Sequence, residues 1–487
     1  MLSNEVAGRV SGAIHGLGVV KIWYDIHRKI MARVTDDPRS ALRKLQSVKL
    51  RRLLTQILPQ NPFYTRKFAA AGVDPASVSG CDDLPLLPLT TKAELQAAQG
   101  GPHGPNAPTY LTYGPERYVR LHQTSGSTGK PIRWLDTRES WDAILQCWQI
   151  IYDGAEVSTD DRFFFPFSFG PFIGFWAAFD AAVARGNLCV PGGGLSSAAR
   201  LRWIVDDQIT VLACTPTYAL RLAEVARLEG IDIQSSAVRA LIVAGEPGGS
   251  VSEVCQRLET AWGARCFDHW GMTEVGPIAF EPRDRPGGLH VIETNCIAEF
   301  IDPATGESLE GPGRGELVIT TLERLGSPVI RYRTGDVVDV SGDVAVRDSK
   351  SEQDVGAFDT NSIDPLTGAP FLRLEGGILA RTDHMVLIGG NNIYPAAIDA
   401  VARQFDDIVE YQAEVVRGPA GNRLRVRVEL APEVPAGATK AFATRFAGAF
   451  QDRFFFRPDV EIVEAGSLPR FELKAQRFII REEDTKK

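Results

Sequence analysis

The sequence predicts an α/β protein: a large N-terminal α/β domain built on several sheets over residues 1–381, then a small α+β domain over 382–487. Three observations predict it. Apolar strand-like runs alternate with helical stretches between about 120 and 300, the rhythm of α/β units. After Asp383 the composition changes, and Leu424–Leu430 alternates apolar and charged residues with period two, a half-exposed strand. At 487 residues the chain is long enough for two or three domains with sizeable cores.

The elements follow in order. Residues 1–60 read as a helical, basic lead-in arm, with eleven Lys/Arg against four Asp/Glu. A solvated arm packed on the main domain is its first reading and contact with an anionic membrane surface its second. Leu50, Leu53, Leu54 and Ile57 share one helical face, and that helix is expected to end near Asn61-Pro62. Thr210–Cys214 is a buried-strand pattern. Thr215 should then cap a helix beginning at Pro216, where the missing N–H costs nothing. Leu241–Glu246 and Gly315–Thr320 read as further strands, and the polar stretch 342–372 as an exposed excursion. Thr439–Phe450 reads as a helix and Asp459–Glu464 as a strand of the smaller domain.

Composition narrows the function classes. A net charge of −8 gives no reason to expect nucleic-acid binding. No run of 18 apolar residues exists, and the N-terminus lacks a basic start followed by an apolar block. Seven scattered cysteines without a Cys-x-x-Cys fit reduced thiols, so a cytoplasmic enzyme is expected.

Five segments carry the chemistry. The first is TSGSTGKP, Thr124 to Pro131. Its small residues let backbone N–H groups approach phosphate oxygens, and Ser125, Ser127 and Thr128 add hydroxyl donors. Pro131 follows Lys130 where the common phosphate loop has a magnesium-binding hydroxyl, and taken alone the stretch reads equally as a flexible surface turn. Downstream come DHWGMTE (268–274), YRTGD (332–336), RTDHMVLIGGNNIYP (381–395) and LPRFELKAQR (468–477). A hard carboxylate oxygen such as that of Glu274 suits a hard cation, and a carboxylate such as Asp336 can accept two hydrogen bonds from a cis-diol. Phe163–Phe179 is dense in aromatic rings with small residues between them, which suits a flat aryl acid or, equally, an ordinary core.

In this order the five segments resemble the adenylate-forming superfamily of acyl-CoA synthetases, adenylation domains and luciferases. The lead-in Asn61–Val78 and Asp82–Leu95 is most similar to its phenylacetate–CoA ligase branch. The resemblance runs from about 45 to 480 and implies ATP-dependent activation of a carboxylic acid to an acyl-adenylate, then transfer to coenzyme A. It implies that Thr124, Ser125, Gly126, Ser127, Thr128, Gly129 and Lys130 grip the phosphates. Thr273 would reach the α-phosphate and Glu274 would hold Mg²⁺. Gly245, Glu246, Pro247, Asp268, His269, Trp270 and Gly271 would bind adenine and ribose, joined by Asp336 and Arg381. Asp383 would be the hinge of a mobile C-terminal lid, and Lys474 the catalytic lysine. Phe167, Phe169, Gly170, Phe172, Gly174, Tyr218 and Gly245 would line the acyl pocket. Ala380, His384, Gly389 and Leu473 depart from the family pattern. Residues 342–372 contain no cysteine, so the metal-binding cluster frequent in that branch is not expected.

The implied small-molecule partners are the acid, ATP and coenzyme A, with a homodimer as a further expectation. Two alternatives stay open: transfer of the acyl group to an amine or a carrier-protein thiol, and a catalytically degenerate nucleotide- or acyl-binding protein.

Overall fold

The structure is a computed structural model describing residues 38–100, 108–124, 131–246, 248–309, 313–340, 358–364, 369–382, 386–388, 391–417, 422–471 and 475–482. Residues 1–37, most of the expected basic lead-in arm, lie outside the described set, which begins with helix α1 (Pro38–Ile57); this helix buries Leu50, Leu53, Leu54 and Ile57 as their spacing predicts. It stops at Ile57, short of Asn61-Pro62. The Asn61 side chain instead caps the next helix, α2 (Pro62–Ala70), by accepting from the Tyr64 N–H, with Pro62 in the first turn. A short α3 (Lys92–Ala97) follows, closed by a capping box between Thr91 and Glu94.

Strands β1 (Tyr118–Gln123) and β2 (Arg133–Thr137) form an antiparallel hairpin ahead of the α/β units. Those units are α4 (Arg138–Gly154), β3 (Arg162–Phe165), α5 (Ile173–Arg185), β4 (Leu188–Pro191), α6 (Ser197–Asp206), β5 (Val211–Cys214), α7 (Pro216–Glu229), β6 (Ala240–Val243), α8 (Ser252–Trp262) and β7 (Arg265–Met272). Thr215 caps α7 through the Tyr218 N–H, and Pro216 takes the first position. The remaining strands of the large sheet are β8 (Gly276–Phe280), β9 (Gly288–Val291), β10 (Cys296–Ile301), β11 (Arg314–Thr321), β12 (Tyr332–Asp339), β13 (Phe358–Ile363) and β14 (Pro370–Arg381).

The sheet runs β10-β11-β12-β14-β9-β8-β7-β6-β5-β3-β4, with β13 paired to β14. Strands β7, β6, β5, β3 and β4 are parallel; from β7 through β8 to β10 every pairing is antiparallel. Strand β7 joins the two halves. Its first residues, Arg265–Asp268, pair with β6, and His269–Met272 pair with β8. The period-two rule then sorts the core: Phe163 and Phe165 face α4 and α5, while Phe164 faces the helices of the opposite layer.

The polar stretch read as an exposed excursion is partly a correction. Residues 341–357 and 365–368 lie outside the described set, but β13 and β14 join the sheet, and Phe371 and Leu372 are buried. Pairing of β14 with β9 and β12 draws Phe371, Leu372 and Leu374 into the core despite the polar composition around them.

The C-terminal part holds β15 (Val386–Ile388), β16 (Asn391–Ile393), α9 (Pro395–Ala402), β17 (Ile408–Arg417), β18 (Arg423–Leu430), α10 (Thr439–Phe454), β19 (Asp459–Val463) and β20 (Phe478–Glu482). Its four-stranded sheet is ordered β19-β18-β17-β20. Phe442, Phe446 and Phe450 of α10, each four residues apart, are buried in a core separate from those of the large sheet. No described helix is long and apolar enough to cross a membrane.

Candidate active site

Strands β1 and β2 pair antiparallel on either side of the glycine-rich stretch. Thr124 and Ile132 close its neck: the Thr124 N–H donates to the Ile132 carbonyl, and the Ile132 N–H donates to Thr124 Oγ1, both at 2.9 Å. Ser125, Gly126, Ser127, Thr128, Gly129 and Lys130 lie outside the described residues, as do Pro247, Asp383 and Lys474. Strand β2 begins at Arg133, two residues beyond Pro131. The hairpin also touches the aromatic stretch, because the Gln123 N–H donates to the Pro171 carbonyl at 2.7 Å.

A buried ion pair ties the hairpin to the turn after β7 that carries Thr273 and Glu274. Arg324 makes a bidentate contact with Asp136 of β2 at 2.8 and 2.9 Å, and its other nitrogen donates to the Thr273 carbonyl at 2.8 Å. Neither residue has a motif around it, and they are 188 positions apart, so only the folded chain reveals them.

Glu274 is 2 % exposed. Its carboxylate accepts from the Tyr332 hydroxyl at 3.2 Å and has no ion pair among the described residues. A carboxylate is seldom buried without a cation, so this environment fits a divalent ion. Burial, reinforced by Glu274, drives the Tyr332 pKa well above its ordinary value, so the phenol stays a donor.

Tyr332 opens β12, and Asp336 sits four residues along it. Asp336 is the cross-strand partner of Arg381 in β14. Arg381 donates to one Asp336 oxygen at 3.0 Å, and the Trp270 indole N–H donates to the other at 2.9 Å. Gly335 is essential to this approach: its φ is +75°, and a Cβ there would lie 3.0 Å from the Arg381 guanidinium. Gly271 is equally constrained, since a Cβ would meet the Gly276 carbonyl at 2.6 Å across the β7–β8 turn.

The neighbours of Trp270 on β7 diverge. His269 packs its ring edge-on to Trp148 of α4 at 4.5 Å between centroids, and burial holds its pKa down near 4. Asp268 accepts from Ser250 Oγ, and burial, aided by Glu281, raises its carboxyl pKa to about 7 despite that bond. Gly245 and Glu246 form the turn after β6. Glu246 accepts from the Thr217 N–H and from the Ala475 N–H, each at 2.8 Å.

The aromatic stretch divides in two. Phe167 stacks on Phe175 at 3.9 Å, and Phe169 lies edge-on to Trp176 and Phe179 at 4.9 and 5.2 Å. Phe172 covers Gly170, and Gly174 borders open space. Tyr218 is not brought to this group; it packs with Phe164 on the other face of the sheet, its hydroxyl beside Arg200 and 3.0 Å from Ser197.

One series of contacts thus runs from the hairpin through Asp136 and Arg324 to Thr273 and Glu274. It continues through Tyr332 to the strand that places Asp336 against Trp270 and Arg381.

Residues 67–322 match the AMP-binding enzyme family model, and 390–481 match the AMP-binding enzyme C-terminal domain. A phenylacetate-coenzyme A ligase of Thermus thermophilus is 29 % identical over 78 % of this chain and 79 % of its own length. One of Pseudomonas putida is 27 % identical over 94 % of this chain and 98 % of its own. Among solved structures, 2-hydroxyisobutyryl-CoA ligase in its postadenylation state with 2-HIB-AMP gives a TM-score of 0.79 at 28 % identity, covering 91 % of this chain and 89 % of that one. The same ligase with CoA in its thioesterification state gives 0.63 at 29 % identity, covering 91 % and 90 %. The chain belongs to the AMP-binding enzyme family.

Proposed function

We propose that this chain is an AMP-forming acid–CoA ligase whose acid is aryl or arylacetic. The observation that carries the reading is the continuous contact series joining strand β2 of the hairpin, Glu274 and the Asp336–Trp270–Arg381 group. Adenylation needs a polyphosphate grip, a cation and a nucleotide pocket within reach of one another, and that series supplies candidates for all three.

In this reading the hairpin loop Thr124–Lys130 holds the phosphates and Glu274 holds Mg²⁺, which neutralises phosphate charge. Asp336 accepts from the ribose hydroxyls, held in place by Trp270 and Arg381. Gly245 and the Asp268–Gly271 strand border the base. Thr273, fixed through its carbonyl by Arg324, presents its hydroxyl to the α-phosphate. Lys474 adds the positive charge that bridges the acid carboxylate and the α-phosphate as pyrophosphate leaves. Phe167, Phe169 and Phe172, with Gly170 and Gly174, stand beside the hairpin base and would accept a flat ring. Residues 382–487, turning about Asp383, would form the lid that changes pose before coenzyme A attacks.

The test is a panel of benzoate-like, arylacetic and short aliphatic acids with ATP, following pyrophosphate release and thioester formation with and without CoA. Acid-dependent release with CoA thioester product supports the reading; exchange of pyrophosphate without thioester moves the acceptor to an amine or carrier thiol. Lys474→Ala is expected to abolish adenylate formation, and intact turnover would remove the lysine from the mechanism.

A further inference from the structure

We propose that Glu246 is a positioning residue, a latch that holds the Lys474-bearing loop on helix α7 and so favours the adenylating arrangement over the thioester-forming one. This rests on the acid–CoA ligase reading above. The two oxygens of the Glu246 carboxylate are divided between the two parts of the chain. Oε1 accepts from the Thr217 N–H in the first turn of α7, and Oε2 accepts from the Ala475 N–H, both at 2.8 Å. Ala475 follows Lys474 directly, so this bond fixes the loop backbone one residue from the lysine.

Both flanks of the loop are held on the same helix. Downstream, Arg477 donates to Thr217 Oγ1 at 2.9 Å while pairing with Glu410 of β17. Upstream, Arg470 pairs with Glu429 of β18 and lies 3.7 Å from Glu224 of α7. Thr217 and Glu224 are seven residues apart, two turns along one face of α7. Each arginine therefore binds a carboxylate of its own sheet and reaches a group of the helix, with Glu246 between them.

The chemistry of these contacts suits release. The bonds across the seam are hydrogen bonds and partly exposed ion pairs, for which water substitutes when they part. Each arginine keeps its carboxylate, Glu410 or Glu429, if the helix contact is lost, so undocking strands no buried charge. The overall arrangement matches the postadenylation-state relative better than the thioesterification-state one. A contact made in only one arrangement contributes only to the half-reaction run there.

The experiment compares full-length wild type, Glu246→Ala and Glu246→Gln in two half-reactions: acid-dependent pyrophosphate release, and thioester formation from the presynthesised acyl-adenylate plus CoA. The acid is whichever aryl acid wild type accepts best, with phenylacetate as the starting probe. Glu246→Ala is expected to slow the first at least tenfold and change the second less than twofold, with Gln, which keeps one acceptor oxygen, in between. Thr217→Val removes only the acceptor for Arg477 and should move the same ratio in the same direction, which covers the case of an unstable Ala variant. Backbone amide exchange over 475–478 in the ligand-free protein should speed up at least tenfold in Glu246→Ala. Equal loss in both half-reactions, no loss of adenylation, or unchanged exchange overturns the latch. If wild type releases no acid-dependent pyrophosphate, the ligase reading fails, and amide exchange alone decides whether Glu246 holds the loop.

Discussion

The Trp270 indole N–H donates to the Asp336 carboxylate at 2.9 Å, joining β7, where the sheet changes from parallel to antiparallel, to the cross-strand pair of Asp336 and Arg381. The bond orients a carboxylate that is 3 % exposed and already faces a guanidinium. Asp336→Asn keeps the shape and removes the charge. A charge-assisted hydrogen bond contributes about 1.5–3 kcal/mol, so KM for ATP should rise roughly 10- to 100-fold with a smaller change in kcat. Initial rates of pyrophosphate release against ATP concentration test this; an unchanged KM removes Asp336 from the ribose site.

Arg324 and Asp136 form a buried pair that also fixes the Thr273 carbonyl. Arg324→Met strands the Asp136 carboxylate and should cost about 3–5 kcal/mol of stability, read from urea unfolding. The double variant with Asp136→Asn should recover part of that stability. It should not recover the adenylation rate, because the Thr273 carbonyl stays unanchored. Full recovery of the rate in the double variant would confine the pair to a structural role.

Local signals in the sequence reached as far as local physics does. Thr215 and Pro216 marked the start of α7 because a cap and a fixed φ act within three residues. The strings around Glu274 and Asp336 were legible because each motif lies on one strand or turn. Arg324 was not, since its partners Asp136 and Thr273 meet it only through the fold. The contact of Glu246 with Ala475 was not legible either, because the two are 229 positions apart. Tyr218 was grouped with Phe167 and Phe169, yet the parallel strands separate them onto opposite faces. The strands at 358–363 and 370–381 were missed because polar residues dominate the stretch, while the pairing that makes them strands comes from β9 and β12.

Asp268 gives the stability a pH dependence of defined sign. Burial raises its carboxyl pKa from 3.8 to about 7, so the folded state favours the neutral form. Its contribution is fully present below the unfolded value near 3.8 and is lost as pH rises through about 7. Asp268→Asn, neutral at every pH, should abolish this slope. The variant should gain on wild type across that interval, by up to about 4 kcal/mol at pH 8. Urea midpoints at several pH values test it, and parallel curves for the two proteins would contradict the burial argument.

Glu274 carries the magnesium prediction. Its carboxylate is buried beside a phenol that donates to it, with no ion pair among the described residues. The Gln variant preserves an acceptor for Tyr332 and removes the charge a hard cation needs. Glu274→Gln should therefore raise the Mg²⁺ concentration for half-maximal pyrophosphate release about tenfold or more. Since a buried, unpaired carboxylate destabilises a fold until a cation arrives, the same variant should be at least as stable as wild type without Mg²⁺. Thermal unfolding of both proteins in EDTA, and again with Mg²⁺ and ATP, separates the effects. Wild type should gain more than the variant on adding the ion with nucleotide. An equal gain in both, with an unshifted Mg²⁺ titration, would show that the ion is held elsewhere.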